Sequence, residues 1–235
     1  MLAARLLRSD LEVELRLSRP LTQWTAAQTA FMDFVFDDLF PVVGRVSASD
    51  IMADGGSGLG ALSIWWKLGD TGAVLKLHAD KITASFPRIV EPEPGQPRAA
   101  GQLVRSILQA TCTSLLSRLD RTTFRARLNT AQHFDVIGAE PGQSQLDRMT
   151  SSLNRNGFSA FEGVIFEGGA KFRARKEPDW DVSFLVERSL VAQNGIFTMF
   201  DATIPGASYD EMSALISQLY SSCLSSAKIS VEQST

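Results

Sequence analysis

Side chains able to do chemistry are scarce in this chain. Its 235 residues include two cysteines and two histidines, so neither a disulfide framework nor a Cys/His zinc site finds ligands at the usual spacings. His78 and His133 could each titrate near neutrality and act as a general base, but neither has an acid or nucleophile at a fixed spacing. A lone strand histidine is most simply structural. Cys112 and Cys223 fall within apolar rows of predicted helices, where a thiol packs as a small hydrophobe. No apolar run reaches the roughly 18 residues of a membrane span, and Arg5 and Arg8 interrupt the first eight residues, which leaves no apolar stretch for a signal peptide. A soluble, cytoplasmic protein is the expectation.

The familiar nucleotide and hydrolase patterns, G-x-x-x-x-G-K-[ST] and G-x-S-x-G, are absent. Gly56, Gly58 and Ala61 fit G-x-G-x-x-A, but strand formers follow from Leu62 to Leu68, so no helix N-terminus faces the loop and a flexible strand connection is the simpler reading. Asp33, Asp37 and Asp38 have a spacing that could grip a divalent ion, yet they lie opposite the Trp24, Phe31 and Leu39 stripe, as a solvated helix face would. No catalytic residue, metal ligand or cofactor site is assigned.

What the chain does have is an ordinary globular composition, 44% hydrophobic and 21% charged, with a net charge of −3. The charge is segregated. Arg98 to Arg127 holds six Arg and one Asp, whereas Glu177 to Thr235 holds two basic and eight acidic residues. Such a division can steer a partner or let regions of one molecule complement each other.

Periodicity predicts an α+β fold. Leu11 to Leu17 alternates apolar with charged residues as a half-wet strand does. Pro20 opens a helix to about Phe40, and strands are expected over 61–68, 73–79 and 81–86. A striped helix spans 99–119 and a strand 122–128. Beyond the Gly138 to Gln143 boundary come a short helix at 144–154, strands near 161–174, 181–191 and 196–203, a helix from Tyr209 to about Leu224 and a closing strand at Ile229 and Val231. Ser208 and Glu211 form an S-x-x-E capping pattern before the last helix.

Two stretches repeat one grammar. Trp66 matches Trp180 at an offset of 114, which also carries Asp80-Lys81 onto Asn194-Gly195 and Phe86 onto Phe200. Two related lobes are expected, 1–138 and 139–235. Each is an antiparallel sheet with helices packed on one face, split-βαβ-like, and the two sheets can merge into one. For the first lobe this requires residues 73–86 to form one bent strand.

The basic strands are the leading candidate site. Lys171, Arg173 and Arg175 alternate with Phe172 and Ala174, so all three cations project from one face, with Lys176 at the following turn. Arg125 and Arg127 do the same beside Phe124 and Ala126. If these strands share a surface, their cations converge where phosphates can be held, with the Phe rings available for base stacking. Alternatively the Phe side chains enter the core and the cations form a wet face or meet acidic residues of the same chain.

This layout of paired lobes with basic strands resembles that of the RNA-processing RAMP proteins of CRISPR systems, and so implies RNA binding. The chain ends in Ser225 to Ser230 without the glycine-rich loop expected there, so the resemblance stops at layout and carries no family membership. The function expected from the residues is a non-catalytic binding or assembly subunit of a multiprotein complex. Its partner is expected to be another protein subunit, with room for a homo-oligomer, and the alternative is an RNA or DNA binder. Trp65, Trp66, Trp180, Phe197 and Phe200 supply aromatic strand positions for pairing.

Overall fold

Period-two alternation dominates this chain, and it closes into one large sheet. The computed structural model describes residues 2–55, 58, 61–68, 72–89, 99–121, 124–137, 165–167, 171–192, 195–206 and 208–231. Its strands are β1 (Leu2–Leu17), β2 (Ile51–Asp54), β3 (Ser63–Lys67), β4 (Val74–His78), β5 (Lys81–Ile89), β6 (Phe124–Val136), β7 (Ile165–Glu167), β8 (Lys171–Lys176), β9 (Trp180–Arg188), β10 (Gly195–Gly206) and β11 (Ile229–Val231). All eleven join one sheet in the order β2-β3-β4-β5-β1-β6-β10-β9-β8-β7, with β11 added beside the start of β1. Every pairing is antiparallel except that of β11 with β1.

Three helices accompany the sheet among the described residues, and the expected helix at 144–154 lies outside them. The N-terminal helix runs through Trp24–Asp33, Phe34–Leu39 and Phe40–Val43, and the middle helix through Ala99–Ala110, Thr111–Leu115 and Leu116–Arg118. The C-terminal helix is Tyr209–Ser226. In the first two, the central segment is a π turn. Their buried stripes explain why. Ala27, Phe31, Val35 and Leu39, and likewise Ile107, Thr111, Leu115 and Leu119, are buried at every fourth position. An α-helix of 3.6 residues per turn would let such a stripe drift by about 40° per repeat. A wider π turn takes up the extra residue and keeps the stripe facing one way.

β1 is twice the length that alternation alone reveals, and a bulge is the reason. Its register with β6 shifts between Leu6 and Arg8, so that Ala4 is buried on the even phase while Ser9, Val13, Leu15 and Leu17 are buried on the odd phase. One extra residue reverses the parity and hides the N-terminal half from a period-two search. Residues 73–86 are also not one bent strand. β4 and β5 form a hairpin paired from Val74/Ser85 to Leu77/Ile82, because Ala79 and Asp80 make a turn whose carbonyls receive the amides of Leu21 and Leu17 at 2.6 and 2.9 Å. The strand order before β6 therefore departs from the split-βαβ order expected for 1–138.

One continuous apolar core takes the inner residues of the strands together with the helix stripes. It includes Phe31, Phe34, Trp66, Leu77, Phe184 and Phe200. Tyr220 of the C-terminal helix donates to the side-chain carbonyl of Gln132 on β6, and its ring meets Phe200 of β10 edge-on at 5.3 Å. Ser208 accepts the amide of Glu211 at 3.2 Å and caps that helix.

Candidate binding face of the sheet

Burying one side of each strand fixes what the other side shows. Paired residues of antiparallel strands share a face, so the register lays out the polar face in rows. One row runs Glu14, Arg127, Thr203, Asp181 and Arg175 over β1, β6, β10, β9 and β8, and the next runs Glu12, Asn129, Asp201, Ser183 and Arg173. The two basic strands thus do share a surface, but β10 and β9 separate them, three strand spacings or about 14 Å.

Those intervening strands carry carboxylates. Arg127 grips Asp201 with two hydrogen bonds, Nε to Oδ1 at 3.0 Å and a terminal nitrogen to Oδ2 at 2.6 Å. Arg173 grips Asp181 in the same bidentate manner, with Nε to Oδ1 at 2.8 Å. Ser183 and Thr203 lie between these pairs, and together with Lys171 they line a shallow depression of about 500 Å³. Toward β5, Glu14 accepts from Lys81 at 2.7 Å and from Arg16 at 3.1 Å. The remaining candidate cations are placed around this lattice. Arg175 reaches Glu177 at 3.5 Å and Lys176 reaches Asp179 at 3.3 Å. Arg125 leans toward the Pro178 carbonyl at 3.5 Å, and Lys171 is exposed at the outer margin.

The electrostatics follow from these contacts. The Arg173 hydrogen bond holds Asp181 below the usual carboxylate range despite partial burial. Burial pushes Glu14 up, but the Lys81 hydrogen bond and the charges of Lys81 and Arg16 outweigh it and the net shift is downward. The Asp201 hydrogen bond raises Arg127. Bidentate pairing of this type is the strong form of carboxylate recognition, and it leaves Arg127 and Arg173 neutralised by their own chain.

Phe124 and Phe172 are 6% and 3% exposed, so neither ring is presented for stacking. Trp66, Trp180 and Phe200 are likewise buried. Of the five aromatic strand positions, Trp65, which lies under the Lys76 ammonium at 4.7 Å, and Phe197 are half-exposed. Beside the ion-pair lattice, Ala131, Met199 and Leu185 face the same side in one register row, with Phe197 in the next. Sequence reasoning named Phe197 but missed Leu185, Met199 and the two aspartates. Asp181, Ser183 and Leu185, and Phe197, Met199, Asp201 and Thr203, do show the alternation that would have placed them outward.

The other chemical candidates are occupied structurally. Asp38 and Asp37 accept from Arg118 of the middle helix at 2.8 and 3.3 Å. Burial pushes the Cys112 thiol up to about 12 and raises Cys223 well above its ordinary value, which makes both poor nucleophiles. His78 and His133 are both lowered, first by burial and then by Lys76 and Lys81 for His78 and by Arg8 for His133. His133 Nδ1 lies 3.0 Å from Ser189 Oγ. That oxygen already accepts the amides of Val191 and Ala192, both at 3.1 Å, and the residue is buried. The pair is built as a turn clasp and not as a nucleophile with its base.

No protein-family model and no curated protein matches this chain. The face must therefore be read from its own chemistry. It presents paired charges, hydroxyls and a narrow apolar strip, and among the described residues no group of His, Cys, Asp and Glu is placed to hold a metal.

Proposed function

We propose that this protein is a non-catalytic binding or assembly subunit of a multiprotein complex, in the cytoplasm, and that its partner is another protein docked on the polar face of the sheet. The observation that carries this is the lattice of bidentate Arg127–Asp201 and Arg173–Asp181 pairs laid beside the strip of Leu185, Met199 and Phe197. A polyanion gains most from unpaired cations. A protein partner gains from a mixed surface, whose apolar strip supplies the energy and whose ordered charges supply register and selectivity. We read the chain as two related lobes, 1–138 and 139–235, in keeping with the same picture. In its support, four strands in sequence order lie on the far side of β1 and four on the far side of β6.

A fixed-stoichiometry partner should be recovered from the native cell with the wild-type protein and lost with Met199→Asp, a substitution on a half-exposed position. Equal recovery by the two proteins, with the variant's circular dichroism unchanged, would exclude this face as the docking surface.

The shared face of Arg125, Arg127, Lys171, Arg173 and Arg175, with Lys176 following at the end of β8, supports a second reading as an RNA or DNA binder. Under it, replacing Arg125, Arg127, Lys171, Arg173 and Arg175 by Ala abolishes nucleic-acid retention at low salt. A native protein that causes no gel shift removes it.

A further inference from the structure

We infer that His133 and Ser189 form a proton-operated clasp on the turn between β9 and β10, closed when the imidazole is neutral and loosened when it becomes imidazolium. The inference stands independently of the docking proposal.

Register brings the two residues together. His133 of β6 lies opposite Phe197 of β10, which lies opposite Glu187 of β9, and Ser189 follows two residues later. Ser189 is 4% exposed. A hydroxyl has one proton and two lone pairs. Both pairs of Ser189 Oγ are engaged by the amides of Val191 and Ala192 at 3.1 Å, so its proton goes to His133 Nδ1 at 3.0 Å. Nδ1 is then the acceptor, and neutral His133 carries its proton on Nε2.

A second proton must enter at Nδ1, where it meets an oxygen with no lone pair to offer. One backbone amide has to let go, exchanging its bond to Ser189 for water at a part-buried turn. The charged groups around the ring set the direction. Arg8 lies directly opposite on β1 and opposes protonation. Asp10, bound to Arg8 at 3.0 Å, favours it. Asp135 on β6 is engaged by Arg5 at 3.6 Å, and Glu187 on β9 stands beyond the Phe197 ring. Burial and Arg8 prevail, so His133 is lowered and the clasp is closed at neutral pH. The turn it holds carries Leu190 and Val191, 98% and 58% exposed, so acid changes how this apolar pair is presented. The contacts of Ser189 N with Gly195 O at 2.9 Å and of Gly195 N with Ala192 O at 3.1 Å remain to keep the strands joined.

Nitrogen NMR of the His133 ring and amide hydrogen exchange, followed on the intact protein from about pH 8 to about pH 5, test this. The expected result is an Nε2–H ring at high pH. On acidification, protection at Val191 or Ala192 falls by about tenfold beyond the intrinsic pH dependence, with the midpoint of His133 itself. His133→Gln, whose Oε1 accepts the Ser189 proton without titrating, should keep that protection flat. An Nδ1–H tautomer, protection that ignores the His133 titration, or a step that persists in His133→Gln overturns the inference. If the variant does not fold, the wild-type tautomer and exchange profile decide alone.

Discussion

Gly206 shows how tightly single positions are set. It pairs with Phe124 across β10 and β6, and a Cβ placed there would lie 2.3 Å from Phe124 Cε2 and 2.7 Å from Cζ. The ring belongs to the core at 6% exposure, so it has little room to withdraw. Gly206→Ala should cost about 1–3 kcal/mol through overpacking, read from the urea midpoint at constant m-value. An unchanged midpoint would mean that the ring rotates aside. Gly44 is constrained differently. Nothing lies within 4 Å of its imagined Cβ, yet its φ of 71° ends the N-terminal helix in the left-handed region that glycine enters without strain.

At the scale of elements, apolar spacing distinguishes the helices. The middle helix buries Ile107, Thr111, Leu115 and Leu119 at intervals of four, and its π turn at Thr111–Leu115 absorbs the surplus residue. The C-terminal helix buries Met212, Leu219, Cys223 and Ser226 at intervals an α-helix already fits. Deleting one exposed residue should therefore have opposite outcomes. Removal of Thr113 leaves inward positions spaced four, three and four, which an α-helix holds on one face, and the fold should survive. Removal of Gln218 turns Leu219 and Cys223 by about 100° away from the sheet and should cost several kcal/mol, on the order of burying two wrong side chains. Thermal melts of the two deletions compare them directly, and equal losses would refute this account of the π turn.

For the molecule as a whole, the same charge pairs that order the polar face make stability depend on pH. Both histidines are lowered in the fold, so as pH falls below their ordinary value of 6.5 the unfolded chain binds protons first and stability declines down to the folded values. Glu14 and Asp181 are also lowered, from 4.5 and 3.8. Their contribution is complete above those values and is lost as pH drops further, through their folded pKa values. Denaturant unfolding should therefore show two acid losses, with the lower one reduced in Asp181→Asn. A stability that stays flat from pH 7 to 5 would contradict the histidine assignment.

Much of this architecture was legible beforehand because it is local. Alternation places a residue in or out within one strand, so Val13 and Leu15 inward and Arg125, Arg127, Arg173 and Arg175 outward could be read without a partner strand. The striped helices and the cap at Ser208 were equally readable. One feature escaped for a local reason as well. The bulge in β1 reverses parity, whereas the turn before Lys81 was readable as a break between two strands. The sequence by itself determined most of the helices and strands and which side of each faces inward, since those choices rest on spacing and side-chain character. Only the tertiary structure decided that β10 and β9 stand between the basic strands, that Asp201 and Asp181 meet Arg127 and Arg173, and that Ser189 meets His133. The physical reason is that strand order joins residues far apart in the chain, and no local pattern encodes which distant strand becomes the neighbour.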